Sequence, residues 1–332
     1  MAWATAHLEG RLFEGGDEDS SEEIDQALVE LLSRSHWRGD HDLVSGLVGV
    51  GVYALERLPR GRAVEVLDRV VARLDETAER SEAGATWLTP PDLLPAYLLE
   101  RCPGGHYSLG VAHGVPGVIA FLGAVVNAGV ARKAARSLLD DAVRWLMAQK
   151  LSEGSGSVFP TSAAPRLKPE PSRSAWCYGD PGIAAALLCT ARSVGEAAWE
   201  REAHAIARRA ADRPADQAGV RDAGLCHGAA GLGHVFNRLF QATRDERLGE
   251  AARFWLVRAL EMRKKRGGVA GYTAHRASDS PPDGGLSRGV LEGAAGIALA
   301  LLAAVSPIEP EWDRMLLLSA RTSGPRLRGA AS

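Results

Sequence analysis

The sequence predicts an all-α fold in which helical hairpins close into a ring with inner and outer helix layers. Three observations predict it. A Gly-x-x-Gly motif recurs at residues 46–49, 114–117, 179–182, 228–231 and 293–296, with first glycines 68, 65, 49 and 65 residues apart. Each motif opens a segment poor in charge, and charged amphipathic stretches lie between these segments. Period-two alternation, the mark of half-buried strands, is nearly absent.

The elements follow in chain order. Residues 14–25 are acidic and read as a solvated linker into a helix capped near Ser20. The charge-poor segments 50–55, 118–128, 183–191, 232–240 and 297–305 are apolar on nearly every side, as buried helices are. The charged stretches 20–35, 61–81, 131–150, 196–213 and 245–264 read as their outer partners. Within 131–150, Leu138, Leu139, Val143 and Leu146 recur at three- and four-residue steps, while Arg132, Arg136, Asp140 and Arg144 follow another face. One charged and one buried helix per unit is a hairpin repeat. All-round apolar helices favour a closed ring with a buried inner layer. The glycine motifs then share one rim, where glycine permits close backbone approach. Residues 152–171 and 267–286, the latter with Pro281-Pro282-Asp283-Gly284-Gly285, read as long loops. Residues 321–332 read as a frayed tail. The whole of 1–332 reads as one domain, with residues 1–19 a partial first repeat and linker.

Composition narrows the function classes. With 39 basic and 41 acidic residues the net charge is -2, which gives no electrostatic case for a nucleic-acid or membrane partner. No apolar run approaches the ~20 residues that span a bilayer. Met1-Ala2-Trp3-Ala4 carries no basic region of the kind that opens a signal peptide. Four cysteines are too few for a disulfide framework, so a reducing, cytoplasmic setting is expected.

Two stretches carry chemistry: Trp176-Cys177-Tyr178-Gly179 and Leu225-Cys226-His227-Gly228. Each sets a soft metal ligand just ahead of a glycine motif. Cys177, Cys226 and His227 together make a three-ligand zinc set with one open tetrahedral corner. Two thiolates cancel the formal charge of the zinc ion, so such a site suits activation of an external thiol. A lone cysteine is more simply a core residue; two at one position of two repeats, one followed by histidine, point to a metal. Cys189, inside an apolar segment, and Cys102, ahead of Pro-Gly-Gly, lack this placement. His113 and Asp42 stand at comparable rim positions. An Asp beside a His fixes its tautomer and raises its pKa, giving a proton donor near neutral pH. The plainer readings are a capping or core histidine and an N-cap aspartate. Arg173 and Tyr178 flank Cys177 and can stabilise developing negative charge, although Arg173 reads equally as a surface charge.

Arg173-Ser-Ala-Trp-Cys-Tyr-Gly179, Cys226-His227-Gly228, Ala112-His113-Gly114-Val-Pro-Gly117, the stretch from Asp42 to Gly49, and Leu291-Glu292-Gly293 resemble the lanthionine synthetase C family, the lanthipeptide cyclases. The resemblance spans nearly the whole chain. It implies an α/α toroid around one zinc ion, bound by Cys177, Cys226 and His227. It implies addition of a peptide cysteine thiol to dehydroalanine or dehydrobutyrine, forming a thioether ring. His113 would protonate the enolate or act as base for the thiol, with Asp42 as its partner and Arg173 and Tyr178 in support. A separate dehydratase would supply the dehydrated precursor peptide.

The chain departs from the pattern at its start: residues 1–8 resemble a helix that follows a glycine motif, with the motif absent, so a truncated first repeat is expected. Two other functions fit the same residues: a relative that adds glutathione to dehydrated residues in proteins, and a non-catalytic helical scaffold with a structural zinc and a fourth protein ligand. Prenyltransferase chemistry is disfavoured, because no carboxylate ligand stands beside these cysteines.

Overall fold

The computed structural model describes residues 1–9, 11–12, 19–34, 36–164, 167–275 and 287–320. The expected tail at 321–332, residues 14–18 of the acidic linker and the 281–285 stretch lie outside them.

The described residues are mainly helical: α1 (Ala2–Leu8), α2 (Glu22–Leu32), α3 (Leu47–Arg57), α4 (Gly61–Thr77), α5 (Ala96–Arg101), α6 (Val115–Ala128), α7 (Arg132–Ala148), α8 (Asp180–Val194), α9 (Ala197–Ala211), α10 (Ala229–Thr243), α11 (Glu246–Glu261) and α12 (Ala294–Val305). Hairpins pair α3 with α4, α6 with α7, α8 with α9 and α10 with α11. The first helices of the hairpins pack in succession, α1 on α3, then α6, α8, α10 and α12. This succession is the inner layer of an α/α toroid. Sequence explains the layering. In α6 and α8 the buried positions run round the whole first two turns, whereas α4 and α7 bury a single stripe. An inner helix meets neighbours on all sides, and an outer helix keeps one face in water. The buried apolar side chains of both layers form one contiguous core.

Details of the connections differ from the sequence reading. The charged stretch 61–81 is helical only to Thr77, after which β1 (Glu79–Ser81) and β2 (Gly84–Thr86) form an antiparallel pair. Gly84 lies at φ +124°, and a Cβ there would sit 2.1 Å from the Asp141 carbonyl oxygen, so the hairpin presses backbone to backbone on α7. A second pair joins β3 (Tyr107–Ser108) to β4 (Ser162–Ala163). Helix α2 starts after Ser21, which makes no side-chain cap bond.

Residues 311–318 bridge the ring. The segment includes a 3₁₀ helix, Glu311–Leu316, that packs against α3. Arg314 reaches Glu56 of α3 at 2.8 Å. Asp313, fully buried, accepts from His234 of α10 at 3.0 Å and lies 3.0 Å from the Arg238 guanidinium. The Trp176 indole donates to the Leu316 carbonyl at 2.9 Å. The segment thus ties both ends of the helix succession together and supports a residue next to Cys177. No helix among the described residues is long and apolar enough to cross a membrane.

Asp313→Ala leaves the buried His234 without its acceptor and removes the buried carboxylate charge beside Arg238. The expected cost is about 3 kcal/mol of unfolding free energy, read from urea denaturation. A midpoint within error of wild type would remove this bridge from the fold's stability.

Candidate metal centre

The rim is built from the loops that precede the inner helices. Ahead of the motifs at 46, 179, 228 and 293 the chain curls back on itself, and its carbonyls meet free N–H groups of the helix start. The amides of Leu47, Val48 and Gly49 donate to the carbonyls of Asp40, His41 and Asp42 at 3.1–3.2 Å. Those of Ala229, Ala230 and Gly231 donate to Asp222, Ala223 and Gly224. Helix-start donors otherwise need side-chain caps. This curl brings loop backbone onto the second glycine of each motif. A Cβ would lie 2.4 Å from the Leu43 oxygen at Gly49, 2.1 Å from the Trp176 oxygen at Gly182 and 1.7 Å from the Leu225 oxygen at Gly231. Glycine is required there by contact, whatever the chemistry.

The five loops are then joined edge to edge. The Leu43 amide donates to the Ala112 carbonyl (3.2 Å), Ala112 to Cys177 (3.4 Å), Cys177 to Cys226 (3.3 Å), and Cys226 to Leu291 (2.7 Å). These bonds set every candidate side chain in register around the axis.

Cys177, Cys226 and His227 offer ligand atoms that all lie within 4.8 Å of one another. Tetrahedral zinc needs its S and N ligands roughly 3.5–3.8 Å apart, given Zn–ligand distances near 2.0–2.3 Å, so a shift of about 1 Å closes the set. Two sulfurs and one imidazole nitrogen are the donors zinc takes, and no fourth side chain of these types joins the group among the described residues. The thiols already share charge. Cys177 is pulled down to about 5, first by its hydrogen bond with Cys226, against burial, with help from His227 and the Arg173 charge. Cys226 is pushed up, by that same bond and then by burial. His227 is raised by its hydrogen bond to Cys177. Cys102 and Cys189 lie outside the group.

His113 Nδ1 stands 2.5 Å from Asp42 Oδ2. The Asp42 side chain is fully buried and that of His113 is 43% exposed, so the imidazole faces the opening. His113 is raised above its ordinary value, first by the hydrogen bond to Asp42, against burial, with Asp40 and Cys177 adding charge. Burial would raise Asp42, but the bonds from His113 and the Ser45 amide outweigh it and its carboxyl sits below the usual range. Asp42 is not an N-cap: Gly46 takes that place in α3, and Asp42 Oδ1 instead accepts from the Ser45 amide inside the loop while Oδ2 takes His113. Tyr178 stacks on His113 with centroids 6.1 Å apart. Burial pushes its phenol up to about 12, so it remains a donor, with its oxygen 3.5 Å from Ser108 Oγ. Arg173 is exposed, and its charge is felt at Cys177 and Cys226.

His113, Cys226, Trp176 and Val44 line one cavity of about 400 Å³, together with Leu291 and an exposed Glu292. A second cavity, about 340 Å³, at Arg221, Asp222, Lys264 and Tyr272, holds none of the candidate ligands. Sequence reading passed over Glu292 as a site residue. Its signal was positional: it directly precedes the first glycine of its motif, as His113 and His227 do.

With this geometry in hand, comparison with known proteins is informative. A family model described as lanthionine synthetase C-like protein matches residues 3–317. Among solved structures, a nisin cyclase aligns with a TM-score of 0.73 at 18% identity, covering 96% of this chain and 78% of that one. A D-mannose isomerase aligns at 0.52 and 10% identity, covering 91% of this chain and 86% of that chain. At such identities both likenesses speak for the toroidal fold alone.

Elemental analysis of the purified chain is expected to find one zinc per molecule, and Cys177→Ala to lose most of it. X-ray absorption should show two sulfurs, one nitrogen and one light solvent ligand. A metal-free wild type, or a fourth protein ligand, contradicts an open centre.

Proposed function

The chain belongs to the lanthionine synthetase C-like family, and from that premise we propose that it is a zinc-dependent lanthipeptide cyclase. One observation carries the reading: Cys226, a member of the Cys177–Cys226–His227 group, lines the same cavity as His113, whose imidazole is held by Asp42. The ligand types, their spacing and the charge balance fit zinc, held by Cys177, Cys226 and His227. When bound, zinc supplies a lowered pKa for a substrate thiol. The substrate is a precursor peptide whose serines and threonines a separate dehydratase has already dehydrated. The chain acts as one domain, in the cytoplasm.

The remaining steps fall to the chain's own side chains. The substrate thiol gives up its proton to solvent water, its sulfur bonds to the β-carbon of dehydroalanine or dehydrobutyrine as the carbon–carbon π bond breaks, and those electrons move onto the carbonyl as an enolate. Tyr178, protonated at neutral pH, donates to that developing oxyanion, and the Arg173 charge, which acts on the neighbouring thiols, favours it. Asp42 holds His113 Nδ1–H, which leaves Nε2 to carry the proton delivered to the α-carbon. Trp176 and Val44 give the peptide an apolar surface to lie against.

His113→Ala is expected to lower kcat for ring closure by about 10²-fold or more while zinc content stays at wild-type level, measured by mass spectrometry of the product and metal analysis. Retained cyclisation, or loss of zinc, would remove His113 from the acid role.

The pH dependence follows from the sign of the His113 shift. An acid works while protonated, so activity falls as pH rises through the raised His113 pKa. Asp42→Asn removes the interaction that raises it. The alkaline limb of the kcat/KM profile should therefore move to lower pH, with partial recovery of rate on acidification; an unmoved limb assigns the titration to another group.

A further inference from the structure

The residue directly ahead of the first glycine is Ser45, His113, Tyr178, His227 or Glu292 in the five units. The loops curl alike and are joined edge to edge, so these positions point to one rim. His113, Tyr178 and His227 are in the candidate site and Ser45 bonds Asp42, which leaves Glu292 without a role. Its place is well fixed. The Leu291 carbonyl accepts from the Cys226 amide at 2.7 Å, the shortest of the inter-loop bonds, and Glu292 lines the cavity with Cys226 and His113. Its charge is felt at the Cys226 thiol.

We infer that Glu292 is a specificity-determining residue whose carboxylate accepts a hydrogen bond from the backbone N–H of the dehydrated residue and so aims its β-carbon. The inference rests on the cyclase reading and names how that site holds its substrate. The carboxylate is exposed at the cavity mouth, and among the described residues no lysine or arginine pairs with it. An occupant that covers it strips away its water, and a carboxylate covered without donors is costly. A peptide entering the cavity has the matching problem, because its own N–H groups lose water and need acceptors. The other lining side chains, Val44, Ala112, Trp176 and Leu291 among them, offer no anionic acceptor. A charge-assisted N–H···carboxylate bond satisfies both partners. It fixes the peptide on the side of the cavity across the metal loops from His113, since the inter-loop bonds run from Ala112 through Cys177 and Cys226 to Leu291.

The test pairs a protein change with a substrate change on the zinc-loaded full chain. A fluorescein-labelled dehydroalanine peptide and its analogue N-methylated at the dehydroalanine nitrogen are compared by anisotropy, for wild type, Glu292→Ala and Glu292→Gln. N-methylation is expected to weaken binding to wild type about tenfold, the worth of one charge-assisted bond, and to Glu292→Ala by no more than about twofold. Glu292→Gln keeps an acceptor oxygen and should recover most of the affinity for the unmethylated peptide. For cyclisation, Glu292→Ala should raise KM more than it lowers kcat. Additive losses from the two changes overturn the inference. So does a Gln variant as weak as Ala, which would point to proton transfer. Peptide binding without ring closure in wild type sinks only the cyclase reading; no binding at all sinks both.

Discussion

Four backbone hydrogen bonds hold the site in being. They run from Leu43 to Ala112, Cys177, Cys226 and Leu291, and they use no side chain. Sequence neighbours cannot supply such order, because the residues concerned are spread over more than two hundred positions. Each loop first has to present its edge, and it does so only by folding back onto its own helix start. That fold is possible because the motif glycines leave room for carbonyl oxygens where any Cβ would collide. The glycines therefore support the chemistry at one remove. They let the loops curl, the curled loops bond to one another, and the bonded loops bring two thiols and an imidazole together.

The same rim separates neighbouring groups electrostatically. His41 and His113 are both close to Asp42, yet they respond in opposite ways. His41 is almost wholly enclosed and burial pulls it down to about 4, so it stays neutral, with Nε2 buried and unpartnered. His113 keeps a wet edge and a short bond to the carboxylate, so it holds its proton more tightly than a free imidazole. At the thiols, one of two adjacent cysteines becomes anionic at the expense of the other. Burial alone would neutralise all of these groups. Charge survives where a partner is within bonding distance and water still reaches one side.

Much of this was legible in the chain because its repeat is local. The buried helices and the charged helices announce themselves by composition, and the glycine spacing marks the rim. The candidate metal group was legible because cysteine is scarce and two of the four occupy equivalent places. Glu292 was harder to see: glutamate is common, and only its position in the repeat distinguishes it. The strand pair at residues 79–86 escaped notice because its strands are three residues each, one wholly exposed and one wholly buried, and so show no alternating period. The bridging segment at residues 311–318 carries no repeat signal at all. Its meaning lies in partners more than seventy positions away, such as His234 for Asp313, and no local pattern encodes them.

That segment also gives the site a place in time. The Trp176 indole is satisfied by Leu316, a residue 140 positions later. At translation rates of ~5–20 residues per second, the tryptophan beside Cys177 waits roughly 7–28 s for its acceptor to be made. Cys177, Cys226 and His227 all emerge well before then. A nascent chain can thus present these side chains while the acceptor for Trp176 is still missing. The indole beside Cys177 gains that acceptor only once synthesis has passed α12.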